Sequence, residues 1–128
     1  MKAWWMLLAV LPVGAVAAPA VQDFVPQGWQ LERQTDGDLN GDGRADKVLV
    51  LQQQDAAHWH DNEGLGAPRL NLNPRTLLVL WNTPQGYKEA VRNTTLLPSE
   101  NSADTPCLAD PLDEGGISIR KQVLLVDL

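Results

Sequence analysis

The chain is poor in the residues that build several common kinds of site. It contains one cysteine, Cys107, in 128 residues, so no internal disulfide can form, even in an oxidising compartment. It contains two histidines, His58 and His60, so a catalytic zinc site would have to take its third ligand from another residue type. No serine lies in a Gly-x-Ser-x-Gly elbow and no glycine-rich phosphate loop is present. These absences exclude the familiar signatures of hydrolases and nucleotide-binding enzymes.

Basic residues are also scarce. Lysine and arginine together number 10 against 16 aspartates and glutamates, which gives a formal net charge of −6. Binding to a phosphate backbone requires a basic face that displaces counterions, and here the basic residues are scattered along the chain. We therefore expect no nucleic-acid partner.

The apolar run near the start is too short to span a bilayer. It covers residues 3–13, whereas a spanning helix needs roughly twenty residues. Lys2 precedes it, and the small residues Ala15-Val16-Ala17 follow it, as in a cleaved export signal. A membrane anchor is the alternative. We predict a signal peptide at residues 1–17, a single small β-rich domain at residues 18–128, no stable membrane span, and a periplasmic or secreted bacterial location.

The most informative stretch is Asp38-Leu39-Asn40-Gly41-Asp42-Gly43-Arg44-Ala45-Asp46. Oxygen-bearing side chains recur at every second position and again at the ninth, with glycines between them. Calcium takes six to eight oxygen ligands in a flexible geometry, and a tight turn with alternating carboxylates supplies several of them. An EF-hand is excluded, because its twelfth loop position carries a bidentate glutamate and here that position is Leu49.

The loop runs directly into an apolar strand, and in this it resembles the loop of FG-GAP or VCBS-type repeats. The resemblance implies side-chain ligands from Asp38, Asn40, Asp42 and Asp46, with the backbone carbonyl of Arg44 completing the calcium shell. It also implies a positive φ at Gly43. The motif occurs once, so the β-propeller built by repeated copies does not transfer to this chain. The whole chain is similar to small exported bacterial proteins with one such loop and no assigned activity.

Two other interpretations of the loop stay open. Asp, Asn and Gly also crowd metal-free turns, because their side chains cap local backbone groups. Magnesium is a further option, although its strict octahedron suits such loops less well. Asp36, just outside the loop, is expected to be a solvated neighbour.

Apolar patterning predicts an all-β, mainly antiparallel fold: a small meander or blade-like sheet with long loops. Residues 47–51 and 75–81 are apolar on both faces, as central strands are. Proline and glycine at positions 84 and 86 favour a turn into a half-exposed strand. No strongly periodic helix is evident. The predicted strands are residues 29–31, 47–51, 75–81, 87–92, 117–119 and 123–126.

Two polar segments, residues 55–74 and 97–116, are predicted to be long loops, which in a small domain are often functional or poorly ordered.

The last strand ends in the apolar residues 123–126 and leaves an edge that must be paired or hidden. Either another chain covers this edge, or the domain is a truncated version of a longer one; the similar exported proteins continue past this hairpin, which favours truncation.

Few other residues suggest chemistry. His58 and His60 lie one residue apart and would point the same way on an extended segment, but no metallohydrolase spacing follows, and a surface loop with Trp59 tucked against the sheet is the simpler interpretation. Cys107 has no evident activating base. Asp110, Asp113 and Glu114 are not distinguished from solvated loop acids.

The sequence therefore favours an exported, calcium-binding, non-enzymatic binding or structural module with no catalytic residues, whose long loops meet a protein or a glycan. The alternative is a small periplasmic enzyme or enzyme inhibitor that uses residues 58–63 or 107–114.

Overall fold

Eight β-strands, one short α-helix and two short 3₁₀ helices (Val21–Phe24 and Ala56–His58) carry the fold of residues 20–128, the part of the chain that the computed structural model describes. The predicted signal segment at residues 1–17 lies outside the described residues. Within them, no helix has both the length and the apolar character needed to cross a membrane. The elements are β1 (Trp29–Gly37), β2 (Asp46–Gln53), β3 (Trp59–Asp61), β4 (Arg69–Asn71), β5 (Arg75–Thr83), β6 (Gly86–Asn93), α1 (Pro111–Glu114), β7 (Gly116–Arg120) and β8 (Val123–Asp127).

The main sheet has four antiparallel strands in the order β1-β2-β5-β6. Two separate hairpins, β3-β4 and β7-β8, are also antiparallel. The predicted all-β, mainly antiparallel fold is confirmed. The main sheet is a meander into which β3 and β4 are inserted between its second and third strands.

The core lies on both faces of β2 and β5. Side chains alternate along a strand, so Val48 and Val50 face one side and Leu49 and Leu51 the other, and all four have no exposed surface. The first face is covered by the β7-β8 hairpin, Leu97 and Leu112. The second face is covered by Val21, Phe24 and Val25 near the start of the described chain, together with side chains from β1 and β6. The sheet is therefore the middle layer of the domain.

A buried arginine ties three parts of the chain together. The Arg75 side chain has no exposed surface and forms two-pronged ion pairs with Glu32 and Asp110. It also donates to the carbonyl oxygen of Pro98. Asp110 in turn accepts a hydrogen bond from the backbone N–H of Leu112 and caps α1. Burial alone would lower the pKa of Arg75, but its bonds to Asp110 and Glu32 outweigh that effect and raise it, so the guanidinium stays charged.

Acid titration should expose this network. Burial would raise the pKa of Asp110, but the hydrogen bonds from Arg75 and from the Leu112 N–H, together with the charges of Arg75 and Arg33, outweigh it and hold the pKa below the ordinary value of 3.8. The stability that ionised Asp110 contributes is therefore complete above that value and is lost as pH falls through the lowered pKa. We expect Asp110→Asn to be less stable at pH 7, and the difference from wild type to shrink below about pH 4. Urea unfolding across this pH range measures it; two parallel curves would contradict it.

The structure corrects several predicted boundaries. β1 runs to Gly37, well past residue 31, with an irregular register between Leu31 and Arg33. Residues 55–74 are not a structureless loop, because β3 and β4 pair there with Trp59 opposite Asn71. Residues 97–116 are mostly loop, as predicted, and contain α1.

Candidate metal centre

The Asp38 to Asp46 loop connects β1 to β2 at one end of the main sheet. Gly37 pairs with Asp46 across the two strands, so the intervening residues must turn tightly back on themselves. Gly41 and Gly43 have φ angles of +79° and +83°, a region that L side chains adopt only with strain. The positive φ predicted for Gly43 is confirmed.

Asp38 organises the first half of the turn. Its Oδ1 accepts hydrogen bonds from the backbone N–H groups of Asn40 and Gly41, at 3.2 and 2.8 Å, and its Oδ2 accepts from Gly43 at 2.8 Å. These bonds, that from Gly43 above all, favour the charged form and hold the pKa of Asp38 below its ordinary value. Asp38 is therefore an anion at neutral pH with its oxygens fixed by the loop.

Asp46 is the buried member of the loop. It has no exposed surface, and its two carboxylate oxygens accept from the backbone N–H groups of Leu39 and Asn82, each at 2.8 Å. The Asn82 side chain also donates to the carbonyl oxygen of Ala45 at 3.1 Å. Asp46 thus joins the loop to the far end of β5, and each oxygen keeps a further lone pair.

The loop brings three carboxylates together. One oxygen from each of Asp38, Asp42 and Asp46 lies within 4.8 Å of the other two. Calcium binds oxygens at 2.3–2.6 Å, so two ligands on one ion can stand up to about 5 Å apart, and the three carboxylates fit one calcium shell. Among residues 20–128, none of the three forms an ion pair with lysine, arginine or histidine.

The two other predicted ligands lie in the same turn. The Asn40 side-chain oxygen accepts from the backbone N–H of Asp42 at 3.3 Å, and the Arg44 N–H donates to Asp42 Oδ1 at 2.8 Å. Asn40 and Arg44 therefore belong to the same hydrogen-bonded turn as Asp38 and Asp42, since their backbone N–H groups donate to those two carboxylates.

Asp36 is more than a solvated neighbour, because it accepts from Lys47 Nζ at 3.0 Å. Burial would raise the pKa of Asp36, but the bonds from Lys47 and Gln34 outweigh it and lower the pKa. The pairing also engages Lys47, the cationic side chain next to Asp46 in the sequence.

The two histidines of the stretch 58–63 do not form a metal site among the described residues. Neither His58 nor His60 belongs to a potential metal-binding group among the described residues. The His58 ring nitrogen Nδ1 lies 3.2 Å from the Asn73 side-chain oxygen, a structural contact. Trp59 is 37 % exposed and lies under Arg69 on the β3-β4 hairpin.

The C-terminal loop residues are also accounted for. Asp110 pairs with Arg75, Asp113 pairs with Arg33, and Cys107 is an exposed free thiol. Asp110 and Asp113 are thus engaged by arginines, whereas no hydrogen bond or ion pair is described for the side chain of Glu114, the third acid of this stretch.

Asn82 was not predicted from the sequence. Its backbone N–H donates to the Asp46 carboxylate, and its side chain donates to the carbonyl oxygen of Ala45. Its position 36 residues from Asp46 gives no local signal.

Comparisons with protein-family models, with curated proteins and with solved structures found no match for this chain.

Proposed function

We propose that this protein is an exported, calcium-binding, non-enzymatic module, in which the FG-GAP-like loop of residues 38–46 holds one calcium ion and the rest of the domain serves a binding or structural role. One observation carries the proposal: Asp38, Asp42 and Asp46 converge to within 4.8 Å without a lysine, arginine or histidine partner among residues 20–128. Three like charges at this separation repel one another unless a cation compensates them.

A metal-free turn is the competing interpretation. The hydrogen bonds from backbone N–H groups to Asp38 and Asp46 would favour such a turn by themselves. They do not offset the charge of Asp42, which is exposed, accepts one hydrogen bond from the backbone N–H of Arg44, and lies close to the carboxylates of Asp38 and Asp46. An oxygen-only donor set with irregular loop geometry suits calcium better than magnesium, which demands a near-ideal octahedron.

Bound calcium would offset two of the three negative charges and cross-link the loop. The loop residues would do the rest: Asp38 fixes the turn through three N–H groups, and Asp46 connects it to β5 through Asn82. The ion would in this way tie the β1-β2 connection to β5, the other central strand. This is the stabilising role that the proposal assigns to the site.

The partner proposed for the module is a protein or a glycan. A groove of about 320 Å³ lies in the second long loop and supports a binding role there. It is lined by polar side chains such as Ser99 and Asn101 and by apolar ones such as Leu108, which is 62 % exposed.

The test is a thermal melt of wild type and Asp42→Ala, each in calcium and in a chelator. Asp42 is the best probe, because it is exposed and, within the described residues, its carboxylate accepts a hydrogen bond only from the backbone N–H of Arg44. At a calcium concentration about 100 times the dissociation constant, binding should stabilise wild type by about 2.7 kcal/mol, or roughly 10 °C in a domain of this size. Asp42→Ala should lose most of that gain and differ little from wild type in the chelator.

Asp104→Ala is the matched control, since it removes one exposed carboxylate whose side chain has no described hydrogen bond or ion pair. It should respond to calcium like wild type. A wild-type melt that is identical in both buffers, or an Asp42→Ala shift of the same size in both, would refute the proposed site.

A further inference from the structure

The outer edge of β8 differs from the other strand edges. β6 carries the exposed charges Lys88, Glu89 and Arg92 and an irregular register with β5, and β1 has an irregular register with β2 near Glu32. Charges and bulges of this kind protect an edge from pairing with another chain. The strands β3 and β4 have three residues each, and very short edge strands are protected as well.

β8 has none of these protections. Its residues 123–126 are all apolar, its register with β7 is regular, and β7 is its only strand partner among residues 20–128. On the face turned away from the core, Val123 and Leu125 are 53 % and 43 % exposed. Leu124 and Val126 pack on the core instead.

The β7-β8 turn determines which backbone groups of β8 are free. Lys121 and Gln122 have φ angles of 49° and 65°, as in a two-residue type I′ turn, and Arg120 pairs with Val123. Because hydrogen-bonding direction alternates along an antiparallel strand, Val123, Leu125 and Asp127 bond toward β7. The N–H and C=O groups of Leu124 and Val126 therefore point outward.

We propose that this edge binds the β8 edge of a second copy of the protein, in antiparallel orientation and centred on Leu125. This register places Leu124 of each copy opposite Val126 of the other, so all four outward residues are hydrogen-bonded at once. The two Leu125 side chains then meet on the outer face as a non-hydrogen-bonded pair, the pair with the shorter separation. The result is one four-stranded sheet, made of β7 and β8 from both copies.

Charge complementarity favours this occupant and this orientation. Arg120 and Lys121 lie at the turn end of β8, and Asp127 lies at its other end. Antiparallel pairing of two copies places the basic end of each beside the acidic end of the other, whereas parallel pairing would place like charges together. Cross-strand pairs of opposite charge stabilise a sheet, and like charges destabilise it.

Sedimentation equilibrium of the purified protein, between about 1 μM and 1 mM, should show a monomer that becomes a dimer. Leu125→Glu should weaken the dimer by roughly tenfold or more, because two carboxylates would face each other across the axis. Ser118→Glu is the matched control: it adds the same charge on the same face, opposite Leu125 on β7, but one strand farther from the axis. It should dimerise like wild type. A wild-type monomer throughout the range, or a Leu125→Glu dimer of unchanged affinity, would overturn the proposal.

Cross-linking tests the register and does not depend on how Leu125→Glu folds. In a Cys107→Ser background, Leu125→Cys should form a disulfide-linked dimer on oxidation, because Cα atoms of such a pair are about 4.5 Å apart, within disulfide reach. Ser118→Cys should stay monomeric, since the two sites would be about three strand spacings, or roughly 14 Å, apart. Equal cross-linking of the two variants, or none for Leu125→Cys, would contradict the pairing.

Discussion

Arg75→Met is expected to lower the free energy of unfolding by about 3–5 kcal/mol, the typical cost of removing one partner from a buried ion pair. The substitution leaves Glu32 and Asp110 facing each other without the guanidinium that both bind. It also frees the Pro98 carbonyl oxygen. Because domains of this size have a total stability of about 5–15 kcal/mol, the variant should be close to unfolding at 37 °C. Urea unfolding followed by circular dichroism measures the loss.

Arg92→Met is the control for this experiment. Arg92 also forms an ion pair, with Glu89, but both side chains are more than a third exposed, and exposed pairs contribute about 1 kcal/mol or less. Similar losses for the two variants would mean that the buried network has no special role. The loss on Arg75→Met should also be smaller once Glu32 and Asp110 are replaced by apolar residues, because the cost lies in the uncompensated charges.

Asp46→Ala is expected to destabilise the protein by about 2–4 kcal/mol even in a chelator, because it leaves two partly buried N–H groups, those of Leu39 and Asn82, without acceptors. The regular spacing of the loop acids suggests equivalent roles for Asp42 and Asp46, but the structure separates them. Asp42 is exposed and accepts one described hydrogen bond, from the backbone N–H of Arg44, so its replacement should act mainly through the metal.

The comparison of Asp46→Ala with Asp46→Asn checks this reasoning. Asparagine keeps one acceptor oxygen and nearly the same size, so it should retain part of the stability in the chelator. Thermal melts of both variants without calcium make the measurement. An Asp46→Ala protein as stable as wild type in the chelator would show that the two N–H groups find other partners.

The strands with apolar residues on both faces were predictable from sequence, because burial on two sides leaves a continuous apolar run. β2 and β5 are of this kind; β2 begins one residue before the predicted strand and ends two residues after it, and β5 begins as predicted and ends two residues later. β3 and β4 were not predicted. Each has only three residues between polar segments, too few to show the alternation of apolar and polar residues that marks a strand. The β7-β8 hairpin was predicted without a turn signal: Lys121 and Gln122 adopt positive φ angles that Gly or Asn would normally provide.

The loop was predictable because its chemistry is local. Nine consecutive residues encode the alternating oxygens and the glycines, and the structure brings Asp38, Asp42 and Asp46 together. Contacts between distant segments were not predictable. Arg75 stands first in an apolar strand, and its partners Glu32 and Asp110 lie 43 and 35 residues away, so no spacing rule connects the three.

The close contact between the β7-β8 hairpin and the β1-β2 connection makes the lengths of the two segments interdependent. A Cβ atom at Gly41 would lie 3.2 Å from the Gln122 side-chain oxygen, and one at Gly37 would lie 2.8 Å from Ile119 Cγ2. We expect an insertion in either segment to crowd the other, and a graft of the loop onto another scaffold to keep these contacts only when the hairpin is carried with it.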